Sequence, residues 1–244
     1  MATSFACILV IITGMANAGG QSGSVAESVR APHDIDADTD PSSAFWREAP
    51  AVFAARDYVG NVVPAYRMEV RSRWTAENIY FLFVCPYEEL DLKPDPQTNV
   101  ETNELWNWAV AEAFIGSDFE NIRRYNEFEV SPQAEWVDLE IDLDTPYPAA
   151  GWVWKSGMKA AARIDSKTRT WYAFMRIPYS SIDARAAAAG NLLRANFYLS
   201  EGAPPNHQQI AWQPTGTPTF HTPEAFGTLR LVDGGYQTGA GSFG

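Results

Sequence analysis

Side chains alternate strictly in character over Trp136–Leu143, and this alternation restricts how the chain can fold. One set of alternate residues is apolar and consists of Val137, Leu139, Ile141 and Leu143. The other set is largely acidic and consists of Trp136, Asp138, Glu140 and Asp142. An α-helix would scatter both sets around its circumference, whereas a strand separates them onto two faces. The segment is therefore predicted to be a half-buried β-strand.

Related patterns recur along most of the chain and predict further short strands. Arg67–Trp74 alternates in the same way, and the continuous apolar run Ile79–Val84 is typical of a strand buried on both faces. Additional strands are predicted at 51–58, 109–115, 124–131, 158–164, 171–177, 193–200 and 227–232. One helix is predicted at 181–189, which is rich in alanine and ends at Gly190. Because no β-α-β alternation is present, the pattern favours an all-β antiparallel sandwich.

The chain is predicted to contain one such domain, at residues 34–233. The Gly/Ser-rich residues 19–33 are predicted to be a flexible leader, and residues 234–244 a flexible tail. Long loops rich in proline, tryptophan and polar residues are expected at 87–104, 144–157 and 201–223. In a sandwich such loops gather at the ends or lie across one face, where they carry function.

The first 18 residues are predicted to be a secretory signal peptide. An apolar run from Phe5 to Ile12 precedes Ala16-Asn17-Ala18, which has the form of a cleavage site, although no Lys or Arg precedes the run. Eight apolar residues are too few to span a bilayer, which takes about 20. The mature protein is therefore expected to be secreted or periplasmic and not membrane-bound. Cys85 would then be the sole cysteine, and its apolar surroundings predict a buried side chain rather than a reactive thiol.

The charge balance narrows the classes of partner. Thirty Asp and Glu against 18 Lys and Arg give a net charge of −12. This charge opposes binding to nucleic acid or to an anionic membrane, both of which need basic side chains. It suits a neutral ligand, a cation or a metal ion. Two cysteines and three histidines exclude zinc sites built on cysteine clusters.

Several short segments occur in the order and spacing typical of one protein family. They are Asp34–Asp38 with Ala44-Phe45-Trp46, Arg73–Tyr80, Leu105–Ile115, Tyr125–Pro132, Trp171–Pro178, Arg194–Tyr198 and Phe226–Leu229. Together they resemble the carbohydrate-binding module family 9-like (CBM9-like) domains of secreted bacterial proteins. Two departures are Ala37, where the family usually has glycine, and Glu112, which lacks the acidic neighbour that often precedes it.

The resemblance implies an immunoglobulin-like or jelly-roll β-sandwich that binds carbohydrate. Such modules commonly work beside glycoside hydrolases in polysaccharide catabolism, and some members also hold structural calcium. No catalytic domain fits in this chain, so the resemblance implies a non-catalytic protein whose partner enzymes are separate chains.

Sugar binding has chemical requirements that select candidate residues. A pyranose has apolar C–H faces and a rim of hydroxyls, so its site needs exposed aromatic rings with polar side chains beside them. Trp106 and Trp108, at the end of a polar loop, are predicted as one platform, and Trp212, in an amide-rich loop, as another. The hydrogen-bonding side chains expected near Trp212 are Arg194, Asn196 and Glu201.

The remaining tryptophans divide between alternative and structural roles. Trp152 and Trp154 form a second pair spaced two apart, which either contacts ligand or packs a hairpin arm. Trp74, Trp136 and Trp171 lie within predicted strands and are expected to be framework residues.

Alternating aspartates at 34, 36, 38 and 40 resemble the first half of a calcium-binding loop. An EF-hand loop that began at Asp34 would need glycine at position 39 and glutamate at position 45. These positions hold Thr39 and Phe45, so the sequence excludes that motif. An irregular calcium site and a solvated acidic segment both remain open.

Three other functions are weighed against carbohydrate binding. A glycoside hydrolase would need two carboxylates about 5–10 Å apart, and strand alternation alone explains the abundant glutamates. Haem binding, as in the related superfamily of dopamine-monooxygenase N-terminal-like domains, would pair Met68 or Met158 with His207 or His221. A purely structural sandwich is the third alternative.

Overall fold

The computed structural model describes residues 24–148 and 151–234, and these residues form twelve β-strands with no α-helix among them. The strands are β1 (Val25–Arg30), β2 (Ala51–Ala54), β3 (Met68–Trp74), β4 (Asn78–Pro86), β5 (Val110–Gly116), β6 (Arg124–Val130), β7 (Trp136–Asp142), β8 (Lys159–Asp165), β9 (Thr170–Pro178), β10 (Leu192–Glu201), β11 (Gln208–Ala211) and β12 (Gly227–Val232). The predicted signal peptide lies outside the described residues, as does the predicted tail beyond Gly234.

The strands form one continuous sheet that folds into two facing walls. Its order is β7-β6-β5-β10-β12-β1-β3-β4-β9-β8, with β11 added beside β10 and β2 beside β3. The strand pairs at both edges of the sheet are antiparallel. Strand β1 pairs in parallel with β12 on one side and with β3 on the other. The all-β sandwich predicted from the sequence is thus confirmed, with β1 and its neighbours joining the two walls.

Strand β1 corrects the predicted flexible leader over residues 19–33. Residues 25–30 pair with two strands, and Ala26 and Ser28 face the interior while their neighbours are more exposed. The Ser72 hydroxyl donates a hydrogen bond to Ser28 Oγ at 2.8 Å. The segment is short and mixed in composition, so its order depends on strands that lie far away in sequence. The packed domain therefore begins before residue 34.

The main core fills the space between the walls. The residues of β4 from Ile79 to Phe83 are completely buried, which confirms the prediction of a strand covered on both faces. Trp74 and Trp171 lie in this core, as expected for framework residues, and Cys85 is buried there as predicted. Two smaller apolar clusters lie on the outer faces of the walls. One of them covers β5, β6 and β7 and supports the candidate site described below.

Two local predictions are wrong. The helix predicted at 181–189 is absent; a 3-10 turn at Tyr179–Ser181 leads into irregular backbone. Nine alanine-rich residues with few apolar anchors do not gain enough packing energy to hold an isolated helix. The predicted loop over 201–223 contains strand β11, which pairs with the end of β10.

No helix in the described part of the chain has the length and apolar character required to cross a bilayer.

Candidate functional site

A groove of about 260 Å³ opens on the outer face of the wall formed by β7, β6, β5 and β10. Its floor comes from these strands, and its rims come from the loops before β5, after β7 and before β12. The lining residues are Trp106, Glu112, Glu127, Leu139, Tyr147, Trp152, Ser200, Gln209, Pro218, Thr219, Phe220 and His221.

Strand alternation determines which side chains reach the floor. On β5, Ala111, Ala113 and Ile115 belong to the main core, so Glu112 between them points outward to the groove. On β6, Phe128 belongs to the core, which places Glu127 and Glu129 on the outer face. The same period of two that defines the sandwich interior therefore gathers acidic side chains beneath the groove.

Aromatic side chains border the groove. Trp106 comes from the 3-10 turn Leu105–Asn107, and Trp152 lies on a segment whose backbone carbonyl accepts a hydrogen bond from the Glu140 N–H. Tyr147 packs edge-on against Trp152, with ring centroids 4.8 Å apart. Both indoles are half-buried, and Tyr147 is exposed. Such rings offer flat apolar surfaces at a site that is open to solvent.

His221 is fixed at one side of the groove. Its Nδ1 lies 2.7 Å from the Tyr125 hydroxyl, and its ring packs 5.5 Å from that of Phe114. Its Nε2 lies 4.0 Å from a carboxylate oxygen of Glu127. The imidazole thus connects the aromatic rim to the acidic floor.

Three glutamates form that acidic floor. Glu112 and Glu129 lie directly opposite each other on β5 and β6, and Glu127 lies two residues from Glu129 on the same face. One carboxylate oxygen from each lies within 4.8 Å of the others, and all three side chains are buried. Burial raises the pKa of all three carboxyls. The charge of Glu127 raises the pKa of Glu112 further, and the charges of Glu112 and Glu127 raise that of Glu129.

Of the residues predicted to bind sugar, Trp106 lies in the groove. Trp108 is half-buried and is not among the lining residues, because the backbone bends at the 3-10 turn between the two tryptophans. The expected shared face at positions 106 and 108 required an extended backbone. Trp152 and Trp154 point to different sides, whereas residues two apart on a regular strand would share a face: Trp152 lines the groove and Trp154 packs against the main core.

Trp212 and its predicted partner Asn196 are largely buried by the surrounding structure. Trp212 is 8% exposed and packs 5.4 Å from the ring of Phe197 in the main core. Asn196 is completely buried and donates hydrogen bonds to the Tyr198 hydroxyl and the Gln213 carbonyl. Trp212 is thus mostly buried, because β11 draws the preceding residues into the sheet, and its ring borders a second cavity of about 790 Å³.

Arg194 and Glu201 are likewise occupied by internal contacts. The guanidinium of Arg194 donates to the backbone carbonyls of Asp118, Ile122 and Pro223. Glu201 accepts a hydrogen bond from Trp171 Nε1 at 2.9 Å across the core. Neither side chain lines the groove.

The alternating aspartates near residue 34 are engaged in local hydrogen bonds. Asp34 accepts hydrogen bonds from Thr75, Asn78 and Tyr80, and Asp38 accepts one from Ser43 Oγ at 2.5 Å. Asp40 accepts from Ser42. Within the described ranges, the acidic side chains close enough together to share one ion are the three glutamates of the floor.

The methionines considered for haem binding lie apart from the groove. Met68 and Met158 belong to the main core, whereas His221 packs on the outer face of the opposite wall. This separation does not favour an axial pair made of either methionine with His221.

Sequence reasoning missed the acidic floor although a signal was present. Glu127 and Glu129 share one strand face, and Phe128 and Val130 share the other. The alternation was interpreted only as a sheet face, but Trp106, Tyr147, Trp152 and residues 218–221 surround it. Only their placement distinguishes a covered face from a solvated one.

Comparisons with known proteins agree with this geometry at the level of fold. No protein-family model and no curated protein matches the chain. A solved protein from Bacteroides uniformis, to which carbohydrate binding is ascribed, aligns over 86% of this chain and 100% of its own, with a TM-score of 0.68 and 15% identity. A family 9 carbohydrate-binding module from Caldicellulosiruptor kristjanssonii was solved with cellotriose and with glucose. These two structures align over 88% and 87% of this chain and 97% of their own, each with a TM-score of 0.62 and 11% identity.

The chain has the fold of a family 9 carbohydrate-binding module. The resemblance noted in the sequence is thus confirmed for the architecture. At identities of 11–15%, the likeness to these solved structures is one of fold alone.

Proposed function

We propose that this protein is a non-catalytic carbohydrate-binding protein that holds a neutral polysaccharide or oligosaccharide in the groove. The observation that carries the proposal is that the indoles of Trp106 and Trp152 line the same cavity as the carboxylates of Glu112 and Glu127. Aromatic faces beside hydrogen-bond acceptors are what a pyranose ring requires.

Each part of the groove has a role in this proposal. The indoles cover the C–H face of a sugar ring, and removing that apolar area from water contributes about 25 cal/mol per Å². Carboxylate oxygens accept hydrogen bonds from ligand hydroxyls, and the exposed Gln209 side chain can both donate and accept. No Lys or Arg belongs to the lining residues, so a uronate would meet repulsion that a neutral sugar does not.

The wider setting of the protein is part of the same proposal. The family 9 module with the same fold was solved with cellotriose and with glucose, which supports a glucan-like ligand here. A secreted or periplasmic protein of this type would work beside glycoside hydrolases that cut the bound polysaccharide.

The arrangement of carboxylates supports binding in preference to hydrolysis. The three glutamates lie together on one side of the groove, on the adjacent strands β5 and β6. A glycosidase needs its acid and its nucleophile or base about 5–10 Å apart, on either side of the scissile bond. Here the carboxylates form one compact floor, and the sugar would lie above it.

Affinity electrophoresis against a panel of soluble polysaccharides tests this function. Trp106→Ala and Trp152→Ala should each weaken retention by about tenfold, which corresponds to about 1.4 kcal/mol of lost contact. Trp108→Ala is the matched control, because this indole is two residues away and outside the groove; its retention should match that of the wild type. Equal losses in all three variants, or no retention of the wild type on any glycan, would refute the proposal. Release of reducing sugar would show a hydrolase instead.

A further inference from the structure

The three glutamates of the floor have the geometry of a site for a single ion. Their oxygens lie within 4.8 Å of one another, and Ca²⁺–oxygen distances are about 2.3–2.6 Å. Two oxygens on opposite sides of one such ion are therefore about 4.6–5.2 Å apart. That is the largest spacing two ligands of one ion can have, and the three glutamate oxygens, from two adjacent strands, lie within it.

The electrostatics of the floor call for a cation. Glu129 is completely buried, and neither of its carboxylate oxygens has a hydrogen-bond partner among the described residues. Glu127 also has one oxygen without a partner. Its ion-pair neighbour is His221, and no Lys or Arg of the described ranges pairs with any of the three glutamates. Three carboxylates in a low-dielectric environment stay ionised only where a cation compensates them.

A fourth buried glutamate shows how this protein otherwise satisfies such a group. Glu135 is also fully buried, but Lys93 Nζ lies 3.3 Å from its Oε1. The same oxygen accepts hydrogen bonds from the Gln97 N–H and the Thr102 hydroxyl. Among the described residues the floor of the groove has no Lys or Arg equivalent to Lys93, and His221 beside Glu127 is the single ionisable base that faces its three carboxyl groups.

We infer that Glu112, Glu127 and Glu129 bind one divalent cation of the calcium type at the floor of the groove. An all-oxygen ligand set favours a hard ion such as Ca²⁺ over zinc or copper. Glu112 and Glu127 line the cavity while Glu129 lies beneath it, so the occupant must be small enough to sit among all three. The cation then presents its free coordination positions to the groove. There, water or the hydroxyls of a bound sugar complete its coordination shell. The contact with sugar hydroxyls rests on the proposed function.

Terbium luminescence tests the cation site directly on the full chain after treatment with a chelator. Tb³⁺ mimics Ca²⁺, and excitation of the indoles that border the groove should sensitise its emission with one-site saturation. Ca²⁺ should displace Tb³⁺ and should raise the thermal unfolding midpoint. Glu129→Gln should weaken Ca²⁺ binding at least tenfold while circular dichroism remains that of the wild type. The matched control is Glu140→Gln, which alters an exposed carboxylate on β7 and should bind Ca²⁺ as the wild type does.

Three results would overturn the inference. One is a wild-type protein that takes up no Ca²⁺ in equilibrium dialysis, and another is a Glu129→Gln variant whose affinity is unchanged. The third is an infrared band of protonated carboxyl groups near neutral pH that Glu129→Gln removes but Ca²⁺ does not, because protons on the floor would then neutralise it. If Glu129→Gln fails to fold, Glu127→Gln gives the same comparison.

Different results would refute the cation site and the proposed function. Tb³⁺ and Ca²⁺ titrations need no sugar, so stoichiometric binding without retention on any glycan would refute carbohydrate binding alone. Retention that is the same with chelator and with Ca²⁺ would leave carbohydrate binding intact and would refute a role for the cation in it.

Discussion

Trp171 on β9 and Glu201 on β10 form a hydrogen bond across the core, with the indole Nε1 2.9 Å from a carboxylate oxygen. Both side chains are completely buried, and the second oxygen of Glu201 has no hydrogen-bond partner among the described residues. Burial raises the pKa of Glu201 to about 8, although the bond from Trp171 acts in the opposite direction. A residue predicted from the sequence to contact ligand is therefore a buried link between the two walls.

The raised pKa makes the stability of the fold depend on pH. Between its ordinary value near 4.5 and about 8, Glu201 holds a proton in the folded state that it releases on unfolding. The free energy of unfolding should therefore fall as pH rises through this window. Glu201→Gln should reduce that fall by roughly 1.4 kcal/mol per pH unit, and urea unfolding at several pH values measures it. The exposed Glu140→Gln should leave the slope unchanged, and a parallel slope in both variants would contradict the buried position of Glu201.

Trp212 should behave as a core residue. Its indole packs against Phe197 and lies so close to Gly227 that a Cβ there would come within 2.7 Å of the ring. Trp212→Ala should therefore lower the free energy of unfolding by about 3–5 kcal/mol. The protein that remains folded should retain glycans as the wild type does. Chemical denaturation and affinity electrophoresis check the two parts, and a stable variant with weakened retention would restore the interpretation of Trp212 as a platform.

Substitutions of Asp34 and Asp36 should differ sharply in their effect on stability, although both residues belong to the same run of alternating aspartates. Asp34 accepts hydrogen bonds from the buried Thr75 and Asn78 at 2.6 and 2.8 Å, and also from Tyr80. Asp34→Ala should cost about 1–3 kcal/mol of stability, because these donors lose their acceptor. Asp36 is fully exposed and pairs with Arg176 alone, so Asp36→Ala should cost less than about 1 kcal/mol. Equal urea midpoints for the two variants would show that the Asp34 contacts do not stabilise the fold.

Most strands were predictable because their signals are local. The apolar run Ile79–Val84 and the alternation of Trp136–Leu143 correspond to β4 and β7, with boundaries that shift by one or two residues. Strand β1 was missed because its short, mixed sequence pairs with β12 and β3, which lie far away in the chain. Likewise, the alanines near 187 have helix propensity, but no amphipathic face anchors them.

The candidate site was predicted only in part for a related reason. Trp106, predicted as a sugar platform from its place at the end of a polar loop, lines the groove, and its contact with sugar stays a prediction. Glu112, Glu127 and Glu129 show the same alternation as a solvated strand face, and no local pattern reveals that loops cover them.

The all-β architecture, the positions of most strands and the sharing of faces by side chains follow from local sequence, because a strand's period of two depends on neighbouring residues. Which face becomes the interior and which lies beneath loops depends on how the strands assemble. The tertiary structure buried Trp212 and Glu201, left Trp106 and Trp152 at one groove, and brought three glutamates together. These outcomes depend on contacts between distant segments, and burial and the local dielectric are properties of the assembled walls.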